Sequence, residues 1–122
     1  MIELRQRGSI MNNTKAEIRY MFTTHDYKCV IVEQPMGFLC GYVLVPSWHK
    51  FYEQDYDDIP IKCHGGLTYA SHNLLGVNYP SWFIGFDCAH ADDFENPKDV
   101  DYCIGECRDI VRQLIAMENE EL

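Results

Sequence analysis

From Glu17 to Val45 the chain is dense in β-branched and aromatic residues, and only two short polar stretches interrupt it. The runs EIRYMFTT, YKCVIVE and FLCGYVLV read as three strands, because such side chains suit a pleated, half-buried surface. His25 and Asp26 form the turn between the first two. Between the second and third lies Gln34-Pro35-Met36-Gly37, where proline presets φ at the second turn position and glycine suits the fourth, so this pair is an antiparallel hairpin. Pro46 ends the third strand, and Ser47 to Tyr52 begins an aromatic-rich loop or single helical turn that runs into the acidic EQDYDD. A fourth strand is expected in IPIKCHGGLTYA, interrupted at Gly65-Gly66, and a fifth in WFIGFDCAH, with SHNLLGVNYPS as the loop between them. The paired glycines permit either a plain turn or a bulge that re-aims His64.

After residue 95 the period of the pattern changes. Asn96 can cap a helix, Pro97 fits its first position and Asp99 falls in its first turn. Val100, Cys103, Ile104, Cys107, Ile110, Val111, Leu114 and Ile115 then recur at helical spacing, which gives one apolar stripe to lay on a sheet. The expected fold is α+β, a small and mainly antiparallel sheet of about five strands packed by a C-terminal amphipathic helix. Residues 1–15 are polar and unpatterned and read as a flexible N-terminal segment, 16–118 as a single domain and 119–122 as an acidic tail.

A chain of 122 residues with 47% hydrophobic residues is enough for one packed core and one site. Ten Lys and Arg against nineteen Asp and Glu give a net charge of −9, which opposes direct nucleic-acid binding, since that depends on cations displacing counterions from phosphates. The same imbalance suits docking on a basic surface, or serves solubility alone. No stretch approaches the roughly 18 apolar residues of a membrane span, and MIELRQRGSIMNN lacks the apolar centre of an export signal, so the expectation is a cytoplasmic protein. Its six cysteines are then reduced, as core residues or metal ligands.

Histidines and aspartates gather in the second half, at His49, His64, His72, Asp87, His90, Asp92 and Asp93. Imidazole and carboxylate are ordinary ligands of zinc and other first-row divalent metals, provided that three or four converge from separate segments. If WFIGFDCAH stays extended, Cys88 and His90 share a face; if the chain turns at Asp87, Asp87 and His90 stand three apart and become the pair. The turn is preferred, because Gly85 and the following acidic run mark a departure from regular strand. The bland alternative makes His64 and His90 hydrogen-bonding core residues. Cys103 and Cys107 lie on the apolar stripe and read as core, as do Cys29 and Cys40.

The strings CGYVLVP (Cys40 to Pro46), HGGLTYA (His64 to Ala70) and WFIGFDCAH (Trp82 to His90) resemble a family of small uncharacterised proteins encoded by bacteriophages and prophages. The resemblance covers residues 38 to 115. By position it implies polar site residues at His49, His64, Asp87, His90 and Asp93, and it favours Asp87 over Cys88 as a ligand. Lys50 stands where the family pattern usually has proline, and Asp92 where it usually has glycine. The implied metal set is His49, His64, Asp87 and His90, holding zinc or another divalent first-row metal. In size and charge the chain is similar to phage inhibitors of bacterial defence, including anti-CRISPR proteins that act on the nuclease Cas9. That resemblance implies an acidic anti-defence factor in the cytoplasm of the infected host, docking on a basic surface of a defence protein. The alternative is a metal-dependent hydrolase of a small molecule or nucleotide, with His64, Asp87 and His90 as ligands, and Asp93 or Asp92 as base.

Overall fold

A computed structural model describes residues 15–118, and both expected terminal segments fall almost wholly outside that range. The first three strands form where the pattern places them: β1 at Glu17–Thr24, β2 at Tyr27–Glu33 and β3 at Leu39–Val45. His25 and Asp26 carry the connecting turn with φ of 49° and 68°, the pair of left-handed positions that matches strand twist in a two-residue hairpin. Gly37 N–H donates to the Gln34 carbonyl at 2.8 Å and closes the second hairpin.

The second half departs from the expected boundaries. β4 is Tyr69–Leu74 and β5 is Val77–Asp87, so the stretch read as a loop is a long hairpin. Its two-residue turn is Leu75-Gly76, at φ of 55° and 87°, and the Asn73 carboxamide accepts the Gly76 N–H at 3.0 Å. Pro80 is tolerated inside β5 because it lies beyond the last β3 pairing, Val45 with Trp82, and across from the register shift between Ser71 and Asn73. The five strands form one antiparallel sheet in the order β1-β2-β3-β5-β4.

Residues 59–68, expected in the fourth strand, form no strand. Their backbone finds partners on a helix instead: Lys62 N–H donates to Gln113 Oε1 at 2.8 Å, Gln113 Nε2 donates back to the Lys62 carbonyl at 2.7 Å, and His64 N–H donates to Glu106 Oε1 at 2.7 Å. Ile59 and Ile61 enter the core as pegs.

A short helix, α1 at Ala91–Glu95, precedes the long helix α2 at Val100–Ala116. The cap of α2 is Asp99, whose carboxylate accepts the Tyr102 N–H at 2.9 Å, while Asn96 ends α1. The helical stripe buries Cys103, Cys107, Ile110, Val111 and Leu114 against Cys29, Ile31, Val43, Ile84 and Phe86 of the sheet. Each large side chain removed from water there contributes on the order of 1.5–3 kcal/mol. Val30, Val32, Tyr42, Leu74 and Phe83 form a second cluster on the other face. The architecture is the α+β sheet with a C-terminal helix across it. Among the described residues no helix is long and apolar enough to cross a membrane.

Candidate functional site

Two segments converge at the N-terminal end of α2. The first is the turn after His64, where Gly65 and Gly66 take φ of 66° and 82°. These are left-handed values that side chains disfavour. Space at Gly65 is a second constraint, because a β-carbon there would stand 2.0 Å from His90 Nε2. The double glycine therefore forms a plain turn, with the Gly66 N–H on the Cys63 carbonyl at 2.9 Å, and makes room for the His90 ring; the His64 and His90 imidazoles sit with centroids 5.6 Å apart.

The second segment is the corner where β5 ends and α1 begins. The chain does turn after Asp87: Asp87 Oδ1 accepts the Ala89 N–H at 3.1 Å, and His90 Nε2 comes to 3.5 Å from the same oxygen. Asp87 Oδ2 accepts from the Thr68 hydroxyl at 3.0 Å. Asp93, at the third position of α1, reaches back to accept the His90 N–H at 3.1 Å. This is the carboxylate half of a capping box, and it fixes the entry to the helix. Cys88 points the other way, into the core, with its sulfur 3.8 Å from that of Cys103.

Asp93 is the centre of the arrangement and is 3% exposed. Its Oδ2 also takes the His64 Nε2 contact at 2.9 Å, and Lys98 Nζ stands 3.2 Å from Oδ1. Burial alone would raise this carboxyl, but the hydrogen bonds from His64, the His90 backbone and Lys98 outweigh it and hold it lowered at about 2. The other ring nitrogen of His64, Nδ1, lies 2.9 Å from the Tyr102 hydroxyl. Among the described residues His90 Nε2 is a buried polar atom that carries no hydrogen bond; Asp93 Oδ1 has the Lys98 ammonium.

His64, Asp87, His90 and Asp93 are thus brought into one neighbourhood, and His49 is not. His49 is buried at the far end of α2, where Nε2 donates to the Leu114 carbonyl at 2.9 Å and Nδ1 accepts the Phe51 N–H at 3.1 Å. Leu114 lies twelve residues from Tyr102, about 18 Å along a helix. His49 therefore ties the Trp48–Tyr52 loop to the helix C-terminus, a correction to its place in the expected ligand set. As the side chains stand, no group of three or more His, Cys, Asp or Glu among the described residues is arranged to hold a metal ion. The donors of the centre face one another.

Comparison with protein-family models, with curated proteins and with solved structures finds no match. The centre is therefore read from its own chemistry. Tyr102, Glu106, Lys98 and Thr68 complete it and were not singled out from the sequence, although Tyr102 and Glu106 stand four apart at the rim of the apolar stripe. Contact with Cys103 and burial push the Cys88 thiol up, contact with Cys29 and burial do the same for Cys107, and burial pushes Cys63 up to about 12, which disfavours the reactive thiolate at these three.

His72 belongs to a separate contact, with Nε2 2.7 Å from Glu53 Oε2 and Nδ1 2.8 Å from the Ser81 carbonyl. The Glu53 hydrogen bond, then that to Ser81, raises its pKa above the ordinary value. A raised folded pKa means that the protonated pair stabilises the fold below pH ~6.5 and that this contribution is lost as pH rises through the folded value. NMR titration of the His72 ring is expected to give a pKa above ~6.5 that falls in Glu53→Gln; an unchanged value in that variant would remove Glu53 as the cause.

Proposed function

We propose that the chain is a phage-encoded acidic binding protein that disables a bacterial defence nuclease, a CRISPR effector of the Cas9 type, by docking on its basic nucleic-acid-binding surface. The observation that carries this reading is the surface of α1 and the start of α2. Asp92, Glu95, Asp99 and Asp101 are all exposed there, with the Phe94 ring 65% exposed in their midst and Tyr102 beside them. Lys98, the cation within this stretch, is engaged with Asp93 and lies over the Tyr102 ring. Carboxylates on a rigid support present the charge that a phosphate-binding groove attracts, and an exposed aromatic among them serves as the anchor of such an interface. On this reading the His64–Asp93 centre is what holds α1 in a preformed pose, and the work is done in the cytoplasm of the infected host.

Binding to a Cas9–guide RNA complex, followed by surface plasmon resonance, tests the proposal. Affinity is expected to fall steeply between low and physiological salt, and Asp92→Lys together with Asp99→Lys to weaken it by about two orders of magnitude, mainly through the association rate. Phe94→Ala is expected to cost about tenfold, mainly in the dissociation rate. Binding indifferent to salt and to both charge reversals would overturn the reading.

The buried His90 Nε2, which carries no hydrogen bond, favours a second reading. In it the centre takes up zinc or another divalent first-row metal through His64, Asp87 and His90, with Asp93 adjoining. The ion would serve as a structural tie or, in a hydrolase, as the activator of a water with Asp92 or Asp93 as base. Elemental analysis of the protein beside His64→Ala and His90→Ala, with melting with and without chelator, decides it. Near-stoichiometric metal that both substitutions remove supports this reading; no metal and chelator-insensitive melting leave the centre as a hydrogen-bonded one.

A further inference from the structure

Next to the polar centre, on the sheet face turned away from α2, lies a groove of about 280 Å³. Its lining includes the aromatic residues Phe38, Tyr42 and Tyr69 and the polar residues Gln34, Thr68 and Asp87. We infer that this groove is a receptor for an arginine side chain of the protein partner. The inference rests on the docking reading above and adds to it the group that is recognised.

The carboxylate of Asp87 is held in place from both sides, by the Thr68 hydroxyl on Oδ2 and the Ala89 N–H on Oδ1. A carboxylate accepts about four hydrogen bonds, so each oxygen keeps a site for a further donor. The side chain remains 28% exposed, and among the described residues no Lys or Arg is paired with it. The carboxylate is thus oriented and reachable, with the His90 ring 3.5 Å from Oδ1 as its one further neighbour among the ion pairs of the described residues. The aromatic walls specify the rest of the ligand. Tyr42 and Tyr69 meet edge to face at 5.3 Å, and the Tyr42 ring lies so close over Gly85 that a β-carbon there would stand 2.5 Å from it. Tyr42 is buried and Tyr69 half-buried, so these walls are held by packing.

An arginine matches both parts. Its planar guanidinium stacks on aromatic faces and offers two parallel N–H groups to a carboxylate, whereas a lysine ammonium is a strongly hydrated point charge that cannot use the fork. The net charge of −9 favours a cationic ligand over an anionic one. A basic nucleic-acid-binding surface is where such side chains are presented.

The test is a ¹H–¹⁵N correlation titration of the full chain with N-acetyl-arginine amide, which needs no knowledge of the partner. Saturable shifts confined to the amides of Thr68, Tyr69, Asp87 and Ala89 are expected at millimolar probe, with N-acetyl-lysine amide about tenfold weaker. Asp87→Asn, whose carboxamide oxygen can still accept the Ala89 N–H while its NH2 group faces the Thr68 hydroxyl, which can turn to accept it, is expected to weaken the arginine probe by about tenfold, and Tyr69→Ala to weaken it independently; the spectra themselves report whether each variant is folded. No saturable shifts, equal response to both probes, or full binding by folded Asp87→Asn would overturn the assignment. If the probe binds and the Cas9 complex does not, the docking reading fails while the groove stands; the reverse result removes the groove and leaves the docking surface of α1.

Discussion

Gly65→Ala is expected to lower the stability of the fold by roughly 2–4 kcal/mol, measured by chemical denaturation, the sum of a left-handed backbone position and a side-chain collision. The backbone part comes from φ of 66°, and the collision from the 2.0 Å between a β-carbon and His90 Nε2. Gly66→Ala separates the two. It has φ of 82° and nothing within 4 Å of its β-carbon, so it is expected to cost only the backbone part, about 1 kcal/mol. In a His90→Ala background the collision is gone, and Gly65→Ala should then cost no more than Gly66→Ala does. Equal effects of the two alanines in the wild-type background would show that the His90 ring yields freely and that the double glycine serves the turn alone.

Asp93→Ala is expected to cost about 3 kcal/mol, because removing one member of a buried charged cluster leaves the others uncompensated. Here the members left behind are the His64 ring, the His90 N–H and the Lys98 ammonium. Hydrogen exchange is the sharper readout: amides of α1 should lose protection while those of β2 and β3 keep it, since Asp93 fixes the entry to α1 and touches neither strand. A uniform loss across the sheet would place Asp93 in the global core instead. The carboxyl is lowered to about 2 in the folded chain. Its contribution is therefore complete above the unfolded value near ~3.9 and is lost as pH falls from there through about 2.

The strands on either side of His25-Asp26 and of the proline turn were legible because each turn announces itself in residue types, and the helix because its apolar stripe is unbroken. The long β4–β5 hairpin was hidden by its turn: Leu75 takes a left-handed φ that leucine rarely adopts, so only Gly76 marked the place. The stretch 59–64 was misread for the opposite reason. It alternates like a strand, yet its backbone partners are the side chains of Gln113 and Glu106, and no local pattern states that a helix fifty residues away will supply them. At the site, the pairing of Asp87 with His90 followed from spacing once the chain was allowed to turn. His49 could not be placed by its neighbours in sequence, since what captures it is a carbonyl at the last turns of α2. The role of Asp93 as the buried hub was equally invisible, for Asp92 beside it has the same chemistry and faces solvent.

The dependence of 59–64 on α2 also sets an order of events. As the chain leaves the ribosome, β1 to β5 emerge before the residues that satisfy Lys62, His64 and His49 do. Until Glu106 and Gln113 follow, the backbone at Lys62 and His64 lacks the side chains that pair with it, and the helix does not yet cover its face of the sheet. The nascent segment must therefore wait for the helix before its backbone is satisfied, and a chain that stops short of Glu106 carries His64, Asp87, His90 and Asp93 without the side chains that hold the backbone of 62–64.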